Sequence, residues 1–372
     1  MTSIRILVVD DSVVIRKLLT DTLSKDPDLL VVGSAGDGRI GLAKIPQLHP
    51  DLITLDVEMP VMNGLETLKE VRKAYPKLPV IMFSTLTEAG GAATLDALAL
   101  GASDYATKPS NTGSPTVAID AIRTDLIPKI KALCSIPERK RLQLPQPPPR
   151  PVVRFRAPAN RVIEIVAIGT STGGPNALAA LFPMIPKDFP VPIVTVQHMP
   201  PLFTRLLAER LASHSQIPIE EGSAGVALCP AHAWIASGNF HMTVKRPGLQ
   251  GQLSLNQDPP ENSCRPAVDV LFRSVAAAYG PAVLGVVMTG MGSDGVLGAQ
   301  RIRAAGGEVI VQDEATSVVW GMPGLVHSAG EADAVYPLDQ LAPEITRRVM
   351  RSRRPQPDPE MSSRVPLERP AK

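Results

Sequence analysis

Apolar runs of four to seven residues alternate along this chain with longer stretches whose apolar positions recur every three or four residues. The short runs read as strands and the periodic stretches as amphipathic helices. In the first half the pattern predicts strands at residues 4–9, 29–32, 52–55, 80–83 and 104–106, with helices such as 13–23 and 64–74 between them. In the second half it predicts strands at 163–168, 193–197, 282–288 and 309–311 and helices from 176 and 295. Runs with no polar alternation suit parallel strands covered on both faces. The fold class expected is therefore α/β, with two doubly wound parallel-sheet domains. Polar residues between His241 and Leu255, with Pro247-Gly248 and Gln250-Gly251 as turn material, predict an antiparallel hairpin.

The two halves are separated by a change of composition. The segment Leu144-Pro145-Gln146-Pro147-Pro148-Pro149-Arg150-Pro151 can neither continue a helix nor fill a central strand. It reads as a semi-rigid extended linker. The expected organisation is a first domain over residues 1–135, a linker over 136–160, a second domain over 161–350 and a disordered tail over 351–372.

Composition narrows the function classes. The net charge is +2, and there are only 7 Phe, 4 Tyr and 2 Trp. That supplies neither a concentrated basic face nor a stacking platform, so no nucleic-acid partner is expected. No stretch approaches the length of a membrane span and the apolar run near the start is too short for a signal-peptide core, so a cytoplasmic protein is expected. The three cysteines, Cys134, Cys229 and Cys264, are far apart and read as isolated reduced thiols.

Ligands of open α/β sheets bind beyond the carboxyl ends of the strands. In the first half those ends carry Asp10-Asp11, Asp56, Ser84-Thr85 and Lys108-Pro109 in turn. Converging carboxylates repel and call for a cation, and hard oxygen donors suit magnesium. A metal-bound carboxylate beside a lysine and a hydroxyl is equipped to receive a phosphoryl group, with Asp56 as nucleophile. Singly, Asp10 or Asp11 reads as a helix cap, Lys108 as a surface charge and Asp56 as a turn residue. Together, in order at successive strand ends, they read as a site.

These residues, with Val57-Glu58-Met59-Pro60 and Asn63-Gly64, resemble the receiver domain of two-component response regulators over nearly all of residues 3–130. The resemblance implies a flavodoxin-like sheet of strand order 2-1-3-4-5. It implies that Asp56 is phosphorylated, that Asp10, Asp11, Asp56 and the carbonyl of Val57 hold Mg2+, that Ser84 and Lys108 bond the phosphoryl group, and that Tyr105 is the aromatic switch. A chemotaxis histidine kinase is the phosphodonor it implies.

In the second half, the first predicted strand runs into Gly169-Thr170-Ser171-Thr172-Gly173-Gly174-Pro175 and then a helix. A G-x-S-x-G turn between strand and helix presents a serine hydroxyl at the sheet edge. A phosphate-cradling loop and a plain turn with Ser171 or Thr172 as cap are the competing readings, and the ending of a P-loop is missing. A nucleophilic serine needs a base and an orienting carboxylate. Of six histidines, His198 stands at the end of a strong strand and so on the same sheet edge. The remaining histidines read as surface residues. Asp294, in Gly290-Met291-Gly292-Ser293-Asp294-Gly295, is the carboxylate candidate, with capping of the following helix as its structural reading.

These segments, with Arg265-Pro266-Ala267-Val268-Asp269-Val270-Leu271-Phe272, resemble the methylesterase domain of the CheB family of protein-glutamate methylesterases. Thr170 stands where that family commonly has Ala. The resemblance implies a Rossmann-like domain, a Ser171–His198–Asp294 triad, and oxyanion donors at Met291 and at the turn around Thr172. It implies demethylation of glutamate methyl esters and deamidation of glutamines in methyl-accepting chemotaxis receptors, with no cofactor at the esterase site. A related methylesterase serving a non-chemotaxis partner is the alternative. A DNA-binding regulator would need a helix-turn-helix, and the second half shows none.

Overall fold

The structure is a computed structural model, and it describes residues 3–85, 87–108, 118–120, 122–134 and 162–353. The first half runs β1 (Ile4–Val9), α1 (Val13–Leu23), β2 (Leu29–Ala35), α2 (Gly38–Leu48), β3 (Leu52–Asp56), α3 (Gly64–Ala74), β4 (Val80–Ser84), α4 (Glu88–Ala99), β5 (Asp104–Thr107) and α5 (Ile127–Cys134). The five strands form one parallel sheet in the order β2-β1-β3-β4-β5, as the resemblance implied. Every residue of β3 and β4 is buried, so these strands carry no polar alternation. Local signals set the helix starts. The Ser12 side chain accepts from the Ile15 amide at the head of α1, and Asn63 and Glu66 form a capping box at the head of α3.

The second half runs β6 (Ile165–Thr170), α6 (Gly174–Leu181), β7 (Ile193–Gln197), α7 (Phe203–Ala212), β8 (Ile219–Glu221), β9 (Ala233–Ile235), β10 (His241–Lys245) and β11 (Gln252–Asn256). It continues with α8 (Val268–Tyr279), β12 (Val283–Val287), α9 (Val296–Ala304), β13 (Glu308–Gln312), α10 (Met322–Ser328), β14 (Ala334–Tyr336) and α11 (Leu338–Arg351). Seven parallel strands form a sheet in the order β14-β13-β12-β6-β7-β9-β8, and β10 and β11 form the expected antiparallel hairpin. The sheet is doubly wound around β6. Its order carries one strand more on the β7 side than the usual six-strand dinucleotide-binding arrangement.

Three strands had no sequence signature. β8, β9 and β14 are three residues each, too short to display a period. The expected linker at 136–160 and residues 354–372 of the expected tail lie outside the described residues. Within the tail range, Arg351 still belongs to α11, and the Arg353 side chain donates to the carbonyls of Ile163 and Pro190.

The halves pack on each other. One buried apolar cluster runs from Leu95 and Tyr105 in the first half to Phe203 and Leu207 in the second. Its seam is α4 against α6 and α7. Arg210 pairs with Asp96 at 2.6 Å, Arg205 pairs with Glu88 at 2.8 Å, and the Asn176 amide donates to the Leu98 carbonyl at 2.8 Å.

Candidate functional site

Each sheet reverses its winding direction at one place, β1/β3 in the first and β6/β12 in the second, and a crevice opens there beyond the strand ends. Asp10, Asp11 and Asp56 border the first of these places and Ser171 and Asp294 the second, with Ser84 and Lys108 at the ends of β4 and β5 and His198 at the end of β7 beside β6.

In the first crevice, oxygens of Asp10, Asp11 and Asp56 all lie within 4.8 Å of one another. Asp10 and Asp56 are buried, and Lys108 Nζ sits 2.9 Å from Asp10 Oδ2 and 2.7 Å from Asp56 Oδ2. Burial raises the Asp56 carboxyl, and its charge repulsion with Asp10 adds to this. Lys108 opposes both, and the carboxyl settles at about 6. Three hard carboxylate donors against one ammonium fit a divalent cation. The Val57 carbonyl already accepts from the Gly64 amide at 2.9 Å, which leaves one lone pair. The Ser84 hydroxyl donates to the Gly90 carbonyl of α4 at 3.1 Å, so it is engaged with α4. Tyr105 is buried and stacks on Phe203 of the other half. Pro109 lies outside the described residues.

In the second crevice, β6 delivers Ser171 and β7 delivers His198. Thr170 and Gln197 are registered partners, and the His198 amide donates to the Thr170 carbonyl at 3.2 Å. Ser171 and His198 therefore stand one step further on neighbouring strands, whose spacing is about 4.8 Å. The turn after β6 needs glycine at Gly173, where φ is +77° and a Cβ would lie 2.6 Å from Val318. At Gly290, a Cβ would lie 2.8 Å from that of Ser171, so glycine lets the loop after β12 close on the serine. The amides of Thr172 and Met291 flank this place, and neither has an acceptor among the described residues.

The imidazole is held at both nitrogens. Nε2 of His198 is 2.8 Å from Asp294 Oδ2, and Nδ1 is 3.5 Å from Cys264 Sγ. No hydrogen bond joins His198 to the Ser171 hydroxyl among the described residues. Burial works to depress the imidazole, but Asp294 and Cys264 outweigh it and raise His198 to about 10. Burial likewise works to raise the Asp294 carboxyl, while His198 and the amides of Asp269 and Val268 hold it below its ordinary value.

Asp294 Oδ1 accepts from the Gly295 amide at 3.0 Å, just ahead of the helix that follows it, but its other backbone donors belong to another helix. It accepts from the Val268 and Asp269 amides at 2.6 and 2.8 Å, at the start of α8. Asp269 in turn accepts from the Gly295 and Gly298 amides at 3.0 and 2.6 Å, at the start of α9. The two helices cap each other, each through a carboxylate from the neighbouring segment. Cys264 is not an isolated thiol, since it touches the imidazole. His241 is not a surface residue either: it is 1% exposed, and its Nε2 lies 3.2 Å from the Pro259 carbonyl.

The receiver-like half covers this crevice. A cavity of about 330 Å³ lies between Tyr105, Asp125 and Lys129 on one side and His198, Cys264 and Arg265 on the other. Lys129 is anchored there by the Tyr105 carbonyl and by Asp125, both at 2.7 Å.

The arrangement has the parts of a serine hydrolase under a phosphorylation domain, and the comparisons agree. Residues 166–345 match the family described as CheB methylesterase, and residues 6–120 match the response regulator receiver domain. A protein-glutamate methylesterase/protein-glutamine glutaminase of Trichodesmium erythraeum is 54% identical over 94% of this chain and 100% of its own length. The chain belongs to that family. A second member, from Nocardioides, is 52% identical over 95% of this chain and 97% of its own. Among solved structures, the Thermotoga maritima CheB methylesterase catalytic domain is 41% identical over 50% of this chain and 97% of its own, with a TM-score of 0.49. No helix among the described residues is long and apolar enough to cross a membrane.

Sequence reasoning missed Asn262, Asp269, Lys129 and Phe203 at these sites. Asp269 lies inside a quoted motif, yet its carboxylate acts on a helix start 26 residues away. The others carried no local signal.

Proposed function

We propose that this chain hydrolyses glutamate methyl esters, and deamidates glutamines, in methyl-accepting chemotaxis receptors, and that phosphorylation of Asp56 by a chemotaxis histidine kinase releases that activity. The observation that carries the reading is the 2.8 Å pair of His198 and Asp294 at the sheet edge where Ser171 emerges from β6.

Ser171 Oγ attacks the ester carbonyl carbon while His198 takes the hydroxyl proton. Asp294 holds the ring and stabilises its cationic form. The Thr172 and Met291 amides receive the tetrahedral oxyanion. The carbon–oxygen bond to the methoxy group breaks, and His198 returns the proton to methanol. Water then attacks the acyl-serine by the same route and frees the glutamate. With a glutamine substrate, ammonia leaves in place of methanol. No cofactor takes part at this site.

At the other crevice Asp10, Asp11, Asp56 and the Val57 carbonyl would hold Mg2+, which supplies charge neutralisation for phosphoryl transfer. Asp56 is the acceptor, and Lys108 and Ser84 bond the phosphoryl oxygens. To do so Ser84 leaves the Gly90 carbonyl, and α4 loses that tether. Tyr105, stacked on Phe203, carries the change to the seam.

The test is methanol release from methylated receptor membranes. The wild type with a phosphodonor releases methanol, Ser171→Ala releases none while keeping its fold, and Asp56→Asn stays at the basal rate. Undiminished release by Ser171→Ala overturns the reading.

A further inference from the structure

Between β11 and α8, residues 261–264 form a tight turn in which Glu261 and Cys264 exchange backbone hydrogen bonds at 3.1 and 2.8 Å. Asn262 and Ser263 both lie in the left-handed region, with φ of 52° and 62°. Two consecutive non-glycine residues there are uncommon, and such strain persists only where the surroundings impose it. From the outer side, Arg273 of α8 grips the Glu261 carboxylate with two bonds of 2.6 Å. On the inner side, Asn262 Nδ2 donates to Asp269 Oδ2 at 3.1 Å and to Asp294 Oδ1 at 3.0 Å. Both partners are carboxylate oxygens, which fixes the nitrogen as the inward atom of the amide. The same turn presents Cys264 Sγ to His198 Nδ1. One four-residue turn therefore touches both ends of the imidazole–carboxylate pair.

We propose that Asn262 is a positioning residue for catalysis: its amide bridges Asp269 and Asp294, separates two carboxylates that would otherwise face each other, and fixes the Asp294 oxygen that orients His198. This rests on the esterase reading above. Oδ1 of Asp294 takes the Asp269 and Gly295 amides and Asn262, and Oδ2 takes the Val268 amide and the imidazole. The backbone donors are fixed by the starts of α8 and α9. Asn262 is the side-chain donor that stops the carboxylate from rotating away from the ring. Removing it leaves two like charges unbridged, which favours a proton on one of them and deprives the imidazole of its counterion.

The charged and titratable groups facing this place are Asp269 and Arg273 from α8, Asp294 from the loop before α9, His198 from the end of β7, His241 from β10, and Glu261 and Cys264 from the turn itself. Across the cavity stand Asp125 and Lys129.

The experiment uses the full chain with a phosphodonor and compares the wild type with Asn262→Gly and Asn262→Ala. Glycine keeps the left-handed backbone and removes only the amide. The expected result for Asn262→Gly is a kcat lowered roughly 10- to 100-fold with KM unchanged. In parallel, the ring of His198 is titrated by NMR without substrate, and its midpoint is expected to fall by about one pH unit or more. Wild-type kcat together with an unmoved midpoint in Asn262→Gly overturns the proposal, as does a loss of kcat accompanied by an unmoved midpoint. The titration does not depend on the substrate. A lowered midpoint in a protein whose wild type releases no methanol supports the positioning role while the esterase reading fails.

Discussion

Tyr105 and Phe203 stack face to face across the seam, with ring centroids 4.9 Å apart and planes 8° from parallel. Both rings are buried, one at a strand of the receiver and the other at the first residue of α7. The pair joins the phosphoryl crevice to the helix that begins just after His198. Phe203→Leu keeps an apolar residue there and removes the stacking, at a cost of about 1–2 kcal/mol. A loss of 1.4 kcal/mol confined to the closed arrangement shifts its ratio to the open one about tenfold. The basal methanol-release rate should rise several-fold and the stimulation by phosphodonor should shrink, measured on receptor membranes with and without acetyl phosphate.

The ion pairs on the seam should matter much less. Arg205–Glu88 and Arg210–Asp96 are largely exposed, and such pairs are weak and screened by salt. Arg205→Ala with Arg210→Ala should raise basal activity less than Phe203→Leu does. Raising the salt concentration should reproduce that small increase in the wild type and leave the double variant unchanged.

Burial holds the Asp56 carboxyl up at about 6, against the pull of Lys108. The site is therefore not fully charged until the pH passes that value. Mg2+ binding to the metal-free chain should tighten between pH 5 and pH 7.5 as that carboxyl gives up its proton, measured by calorimetric titration, and chelation of the metal should abolish autophosphorylation from a small phosphodonor, read as a mass shift of the intact chain. The sign for stability is opposite. A carboxyl raised in the fold contributes stability that is fully present below its unfolded value of 3.8 and is lost as pH rises through about 6. Asp56→Asn should remove that dependence from the receiver's melting curve.

In the covered state His198 is raised to about 10, since Asp294 and Cys264 outweigh its burial. The ring therefore holds a proton more tightly than an ordinary imidazole does, which works against its taking the Ser171 proton. Its contribution to stability is fully present below 6.5 and is lost as pH rises through about 10. Cys264→Ala should lower the NMR titration midpoint of the ring and raise basal methanol release at pH 7. Asp294→Asn should lower the same midpoint and yet cost roughly 10⁴-fold in kcat, because the ring loses its orientation as well as its counterion.

Much of this molecule could be read from the residue pattern because the relevant signals are local. α1, α3 and β7 have the bounds their periodicity and caps predict, and Asp10, Asp56, Ser171 and His198 lie at the strand ends that a parallel sheet turns toward its ligands. What escaped was non-local. The cap on α9 comes from Asp269, and the amide that bridges the two carboxylates comes from a turn with no helical or strand period. Cys264 looked isolated because spacing along the chain says nothing about a contact 66 residues away. The Tyr105–Phe203 stack depends on how two sheets dock, which neither half encodes alone.

The mutual capping of α8 and α9 gives Asp294 a second occupation. Its oxygens hold the start of a buried helix whether or not any ester is ever cleaved. A descendant that lost the serine would still be under selection to keep this aspartate for folding. Its presence in a related sequence is thus poor testimony of hydrolysis, whereas loss of Ser171, which carries no such architectural duty, would be the informative change.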